Sequence, residues 1–294
     1  MNTASVVTPS QKMSVGKPGL SLVRNANRND MKIQNIINGM LFLVLCLFHF
    51  NVMAEAPTKT VISRVSLDEF SFGTIYGSAG FAVTSSTGTT IVTDPYNVVE
   101  GVKPDIITAS HFHFDHKDRI LNNKINNCKI SLYKVETFTV KDVYVHGIAA
   151  SHFPNSINQE MPSNVIYTFE VDGLRIAHMG DIGQEGLTKE QLKELGDLDL
   201  VFMNFVDAPQ FGMTIVRSLK ILNQINPKIV IPTHLDKEGF EQLHKIFNRI
   251  EYQTVRWAVD RNYLDNLGDD RIVVFLIPKH GSIIEQWKKT LMSN

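Results

Sequence analysis

Two successive blocks of short β-rich segments, each followed by helical stretches, predict an α+β fold, a layered sandwich with helices outside. Three observations carry this expectation. The chain has 294 residues, 43% hydrophobic and 20% charged, enough to bury a large core without a disulfide framework. Segments such as TTIVTD, DIITAS and NVIYTFEV are rich in Val, Ile, Thr, Phe and Tyr and are punctuated by Gly, Pro and Asn. Helical periodicity then appears between and after such segments, in TKEQLKELG and in Ile215, Leu219, Leu222 and Ile225.

The first element reads as a targeting segment. Met40 to Phe50, MLFLVLCLFHF, is an apolar run followed by Ala54-Glu55-Ala56, a small-x-small cleavage pattern. The run is too short to cross the roughly 30 Å hydrocarbon core comfortably as a permanent span. Residues 31–56 are therefore expected to be a signal peptide that starts at Met31 with the short basic leader MKIQNIING and is cleaved after Ala56, making the protein periplasmic or secreted. An uncleaved anchor is the alternative. Residues 1–30 are expected to be disordered or to precede the true start. After cleavage Cys128 is the one remaining cysteine, so no internal disulfide can form.

Residues 57–294 are expected to form a single domain. The strand-like runs are SFGTIYG, GFAVTSS, TTIVTD, DIITAS, KISLY and VYVHGI, and later NVIYTFEV, LRIAHMG, LDLVFMNF and KIVIPTH. Thr188 followed by Gln191 makes a capping box for TKEQLKELG. Phe240, Leu243, Phe247 and Ile250 predict a further helix over 236–250.

Charge narrows the partners. Formal net charge is -1, but Lys12, Lys17, Arg24, Arg28 and Lys32 in residues 1–56 face only Asp30 and Glu55, leaving 24 basic against 28 acidic groups beyond them. That remainder has no basic stripe with which to neutralise a phosphate backbone, so no nucleic-acid partner is expected. The expected partner is a small-molecule substrate, with no stable membrane span after cleavage.

The residues that carry chemistry are concentrated in HFHFDH, residues 111–116. The chain has 10 His in 294 residues, so three at set positions would arise by chance in roughly 1 in 25,000 placements. The cluster follows DIITAS directly, where a strand runs out into a loop. On an extended segment His111 and His113 point to the same side and can share one cation at about 2.0–2.1 Å. Asp115 continues that parity, and His116, where the chain turns, can swing to a second position. Further ligands should also lie at strand ends, and His152 in ASHFP, Asp181 in AHMGD and His234 in IPTHLD do. We assign His152 to the ion of His111 and His113, and His234 to the ion of Asp115 and His116. Asp181 spans both, since a carboxylate has two oxygens and can bridge cations roughly 3.5–4 Å apart. His178, just before Asp181, reads as a supporting or core residue. His146, His244 and His280 read as ordinary, and His49 belongs to the leader.

With those residues in place, HFHFDH resembles the His-x-His-x-Asp-His signature of the metallo-β-lactamase superfamily. The other pieces follow in that family's order: TDP with Asp94, then His152, Asp181 in GD, and His234. The run NVIYTFEVDGLRIAHMGDIG through KIVIPTH is similar to the ascorbate-phosphate lactonase-like branch. The resemblance covers about Val61 to Ile284. It implies a four-layer αββα sandwich with the metal site at one edge between the two sheets, and gives Asp94 the role of an orienting aspartate behind the ligands. Ser78 in YGSAGF stands where that branch often has a His, and Val216 where it has an Asp, so lactone specificity does not carry over.

The implied chemistry is metal-dependent hydrolysis of an ester, lactone, amide or phosphoester by a hydroxide that two divalent cations hold and activate, with Asp115 and Asp181 the catalytic carboxylates. Zn2+ is the first expectation for both cations, with Mn2+ and Fe2+ served by the same donors. Two readings stay open beside it. One is a mononuclear iron oxygenase or redox member of the same superfamily. The other is a non-catalytic metal-binding protein whose pocket is plugged by Phe112, Phe114, Phe153 or Phe211. These aromatics are expected in the core or the pocket wall. Cys128 reads as structural.

Overall fold

In the computed structural model of the chain the described residues are 59–65, 71–72, 75–96, 98, 101–117, 128–154, 157–277 and 283–293. The expected leader, residues 1–30, His49 and His280 lie outside them. In chain order the strands are β1 (Thr60–Arg64), β2 (Ser71–Phe72), β3 (Ile75–Tyr76), β4 (Phe81–Thr84), β5 (Thr90–Thr93), β6 (Ile106–Ala109), β7 (Lys129–Leu132) and β8 (Thr137–Val140). They continue as β9 (Val143–Ala150), β10 (Asn164–Val171), β11 (Leu174–His178), β12 (Leu200–Phe205), β13 (Ile229–Leu235), β14 (Arg249–Thr254), β15 (Arg256–Val259) and β16 (Ile272–Ile277). The helices are α1 (Lys189–Leu195), α2 (Ile215–Ile225), α3 (Lys237–Ile246), α4 (Arg261–Leu267) and α5 (Ile283–Met292).

These strands make two mixed sheets. The first runs β15-β1-β4-β5-β6-β7, and the second β14-β16-β13-β12-β11-β10-β9-β8, with β3 beside β13 and β2 beside β3. The predicted α+β sandwich is what forms. Its inner layer joins Ile62, Phe81, Val83, Ile91 and Ile106 of the first sheet to Val165, Tyr167, Phe169, Ile176, Phe202 and Ile231 of the second. Strand β12 shows why the second sheet reads as near-continuous apolar sequence. Leu200 and Phe202 face the first sheet, whereas Val201, Met203 and Phe205 join the layer under the helices, and both faces are covered. On that outer face Leu195, Ile221, Leu222, Phe240, Leu243 and Ile284 pack on Val201, Met203, Val230 and Phe275.

Local signals decide the helix ends. Thr188 and Gln191 form the reciprocal capping box expected for α1. Thr214 and Asp236 cap α2 and α3 by accepting the N–H groups of Arg217 and Gly239. The helix expected over 236–250 stops at Ile246. Phe247 is extended (φ -107°, ψ 123°), and Ile250 lies on β14, which pairs in parallel with β16. The ladder to β16 outweighs the apolar spacing that the helix reading rested on.

Two aspartates at turns tie the sheets together. Asp172, in the β10–β11 turn with φ 51°, accepts from Ser86 N (2.7 Å), Ser86 Oγ (2.6 Å) and Thr60 Oγ1 (2.7 Å) of the first sheet. Asp142, in the β8–β9 turn, accepts from Thr89 Oγ1. At the opposite end the Val165 N–H donates to the Ser110 carbonyl at 2.9 Å, and there β5, β6, β9, β11 and β13 all run out. No described helix is long and apolar enough to cross a membrane.

Candidate metal centre

Each residue singled out above follows the C-terminal end of a strand at this edge: Asp94 after β5, His111 to His116 after β6, His152 after β9 and Asp181 after β11. His234 is the next-to-last residue of β13. Their donor atoms fall into overlapping groups. His111, His113, His152 and Asp181 form one, Asp115, His116 and His234 another, with the atoms of each group within 4.8 Å of one another. His111 and His113 do share a side, their ring centroids 4.6 Å apart, and His152 lies 4.7 Å from one and 4.9 Å from the other. Asp115 departs from the extended parity. Phe114–His116 closes a 3-10 turn, and that turn carries Asp115 and His116 to the second group.

Asp181 lies between the groups. Its Oδ2 is 3.7 Å from His111 Nε2, 3.6 Å from His152 Nε2 and 3.4 Å from His116 Nε2, and its Oδ1 is 3.6 Å from His234 Nε2. Asp115 Oδ2 is 3.7 Å from His234 Nε2 and 3.9 Å from His116 Nε2.

The surroundings fix which ring nitrogen faces inward. Asp94 is fully buried with φ 45°, and accepts from Ser110 N (2.6 Å), Ser110 Oγ (2.6 Å) and His116 Nδ1 (2.7 Å). Because Ser110 Oγ gives its proton to Asp94, it accepts from His111 Nδ1 at 2.9 Å. His234 Nδ1 donates to the Gly77 carbonyl at 2.8 Å. In all three rings Nδ1 carries the proton and Nε2 is turned to the centre. His178 is built differently. Its Nε2 donates to the Ala79 carbonyl (2.8 Å) and its Nδ1 accepts the Gly180 N–H (3.1 Å), pinning the GD turn to the 77–80 segment outside the donor groups.

Electrostatics follow this arrangement. Burial raises the Asp181 carboxyl, but His116 and His234 facing it, with His152 Nε2 close by at 3.6 Å, hold it well below the usual carboxylate range. Burial likewise raises Asp94, and His178, His116 and Ser110 bring it below its ordinary value. Burial and the neighbouring His116 push His111 well down, so this ring is neutral with a free lone pair. Burial lowers His116 too, but Asp181 and Asp94 on either side raise it well above the ordinary imidazole.

A metal cation fits this donor set. His111 Nε2, both ring nitrogens of His152 and Asp181 Oδ1 are buried with no hydrogen-bond partner, an arrangement costly unless something of opposite character sits among them. His116 Nε2 and His234 Nε2 approach to 3.2 Å with both Nδ1 protons already committed, which requires a proton or a cation between the lone pairs.

Several residues the sequence reading passed over support the centre. Ser110 immediately precedes the hexapeptide, so its position was the available signal. In YGSAGF the Gly77 and Ala79 carbonyls act on His234 and His178, and Ser78 is buried with its hydroxyl unpartnered. Asn204 donates to the Gly180 and Ile182 carbonyls at 3.4 Å each, and Ser163 Oγ accepts the His152 N–H at 3.0 Å. Val216 is exposed on α2. Of the aromatics expected in the core or the pocket wall, Phe112, Phe114 and Phe153 are exposed and so not core, because they occupy loop positions beside inward-turned histidines, and Phe211 is partly buried against Val206, Ala208 and Met213. His146 and His244 are satisfied by Thr137 and Glu194, and by Phe240 and Tyr252. Cys128 is a free thiol that burial pushes up, which disfavours a thiolate nucleophile.

Comparison with known proteins agrees with this architecture. A family profile described as a β-lactamase superfamily domain matches residues 74–234. A UPF0173 metal-dependent hydrolase of Methanosarcina barkeri is 28% identical over 158 residues, 46% of this chain and 67% of that protein. Among solved structures, one assigned to the Zn-dependent hydrolases of the metallo-β-lactamase superfamily, from Thermotoga maritima, superposes with a TM-score of 0.53 at 21% identity, covering 74% of this chain and 99% of its own. Igni18, a metallo hydrolase from Ignicoccus hospitalis, gives 0.49 at 15% identity, with 76% and 97% covered. The profile spans more than half of the chain, and the two-sheet sandwich and strand-end cluster agree with it: the chain belongs to the metallo-β-lactamase superfamily.

Proposed function

We propose that this chain is a metal-dependent hydrolase with two divalent cations, Zn2+ first and Mn2+ or Fe2+ with the same donors. His111, His113 and His152 would hold one, Asp115, His116 and His234 the other, and Asp181 both. The observation that carries this reading is the set of buried, unpartnered donor atoms on His111, His152 and Asp181, turned toward one space. When bound, such a pair supplies a water acidified toward neutrality and a Lewis acid for the oxygen under attack. The second donor group, beside the first, favours this over a mononuclear redox centre. The archaeal relative's name, metal-dependent hydrolase, supports the reaction class.

The chain's own residues then do the following. Asp94, Ser110 and the Gly77 carbonyl keep Nε2 of His116, His111 and His234 as donors. Asp181 brings negative charge to both groups. Asp115 is partly exposed at the mouth and can take a proton from, or return one to, the substrate side. The scissile bond is that of a small-molecule ester, lactone, amide or phosphoester.

Replacing Asp181 by Asn tests the reading. Metal per chain should fall, and hydrolysis across a panel of esters and phosphodiesters should fall by roughly 100-fold or more. Unchanged metal and rate would refute it. From the leader-like sequence we also propose that the protein acts outside the cytoplasm. A mature N-terminus at Pro57 is expected from N-terminal sequencing, and an intact leader in a cytoplasmic fraction would contradict export.

A further inference from the structure

Among the described residues the exposed phenylalanines are Phe112 (64%), Phe114 (61%) and Phe153 (43%), and each is the sequence neighbour of a residue placed in the centre. Scattered exposed apolar residues are ordinary, but this concentration at one mouth is not. The rings are also in successive contact. Phe112 lies 4.9 Å from His113, His113 lies 4.9 Å from His152, and His152 lies 5.0 Å from Phe153, centroid to centroid. The two solvent-exposed rings thus flank two imidazoles that belong to the first donor group. Phe114 stands on the other side of His113 in sequence and packs edge-on against Tyr96 at 6.0 Å.

From this geometry we infer that the substrate carries a flexible apolar acyl chain that lies across Phe112 and Phe153, with its ester or amide carbonyl at the centre. The inference rests on the hydrolase reading above and narrows it to acyl compounds. Four rings in succession offer more contact than one aromatic group takes up, and a flexible alkyl chain can follow them. A chain seated there would remove both Phe side chains from water, the gain that makes exposed rings at a site mouth useful.

The test uses the metal-loaded full chain and a series of p-nitrophenyl esters from acetyl to octanoyl. A half-covered methylene should contribute about twofold, so kcat/KM should rise roughly 50-fold along the series. In the Phe112→Ser/Phe153→Ser double variant the rise should shrink to about fivefold or less, with metal content as in the parent, and Phe112→Leu/Phe153→Leu should restore most of it. Straight-chain alkyl hydroxamates, measured by calorimetry, should show the same chain-length dependence in Kd, an answer that needs no turnover.

Flat kcat/KM and flat hydroxamate affinity would overturn the inference. So would a chain-length effect that survives the double Ser change. Cleavage of phosphodiesters but not of esters would overturn it while leaving the hydrolase reading intact. Absence of all hydrolysis in a metal-loaded chain would refute the hydrolase reading, and the hydroxamate series would still decide whether the strip holds an acyl chain. Concentration-dependent self-association abolished by the Ser changes, without any chain-length effect, would assign the strip to a second copy instead.

Discussion

His116 and His234 turn their Nε2 atoms toward each other at 3.2 Å while Asp94 and the Gly77 carbonyl hold their Nδ1 protons. Neutral lone pairs at that separation repel, so the pair needs a positive centre. In the chain alone a proton on His116 can serve, consistent with the raised proton affinity that Asp181 and Asp94 give it. Supplying a divalent cation therefore stabilises the fold. Zinc at about 100 times its Kd contributes about 2.7 kcal/mol, which should raise Tm by roughly 5–10 °C for a domain of this size. Differential scanning fluorimetry of chelator-treated protein against added zinc checks it, and a Tm independent of zinc would contradict it.

Asp94 is the next lever. It accepts three hydrogen bonds from Ser110 and His116, with His178 Nδ1 3.6 Å from its Oδ2. The Asp94→Asn change keeps a residue that tolerates the positive φ. Its amide nitrogen cannot accept: in the Oδ1 position it leaves Ser110 N without a partner, and in the Oδ2 position both Ser110 Oγ and His116 Nδ1. We expect metal affinity to drop about 10–100-fold in a calorimetric titration, with a smaller change in Tm.

Gly183 marks a close approach that positions His152. A Cβ there would collide with the backbone carbonyls of His152 and Gly212. Both are main-chain atoms and cannot rotate away. Gly183→Ala should destabilise the fold by about 1–3 kcal/mol and lower metal occupancy, measured by urea unfolding and elemental analysis. Gly88, where a Cβ meets nothing within 4 Å but φ is 94°, is the comparison: Gly88→Ala should cost backbone strain without metal loss.

The turn linking the sheets should be acid-sensitive. Burial raises the Asp142 carboxyl slightly, but hydroxyls of Thr89, Ser85 and Thr87 lower it from 3.8 to about 2. A depressed folded pKa contributes stability that is fully present above the unfolded value and is lost as pH falls through the folded one. Between about pH 4 and pH 2 the parent should therefore lose more stability than Asp142→Asn, as compared by urea unfolding at each pH. Asp142 is solvent-exposed, so the difference is small and its sign is the test.

Much of the molecule could be read from the chain because its signals were local and strong. Strand β12 is buried on both faces, the Thr188/Gln191 box fixes α1, and HFHFDH concentrates donors in one loop. What could not be read depended on partners distant in sequence. Ile250 fits the helical spacing of Phe240 and Leu243, yet pairing with β16 takes it into a strand. The supporting carbonyls of Gly77 and Ala79 have no side-chain signature at all. Phe112 and Phe153 look like core residues by type, and only the inward turn of the adjacent histidines leaves them outside.

The central claim is that seven residues from four strand ends build one twin-cation centre. Anomalous diffraction at the zinc edge from zinc-loaded crystals tests it most directly. Two peaks roughly 3.5–4 Å apart are predicted, one among His111, His113 and His152, the other among Asp115, His116 and His234, with Asp181 touching both. No peak at this edge of the sandwich, or one with His152 or His234 turned away from it, would contradict the account.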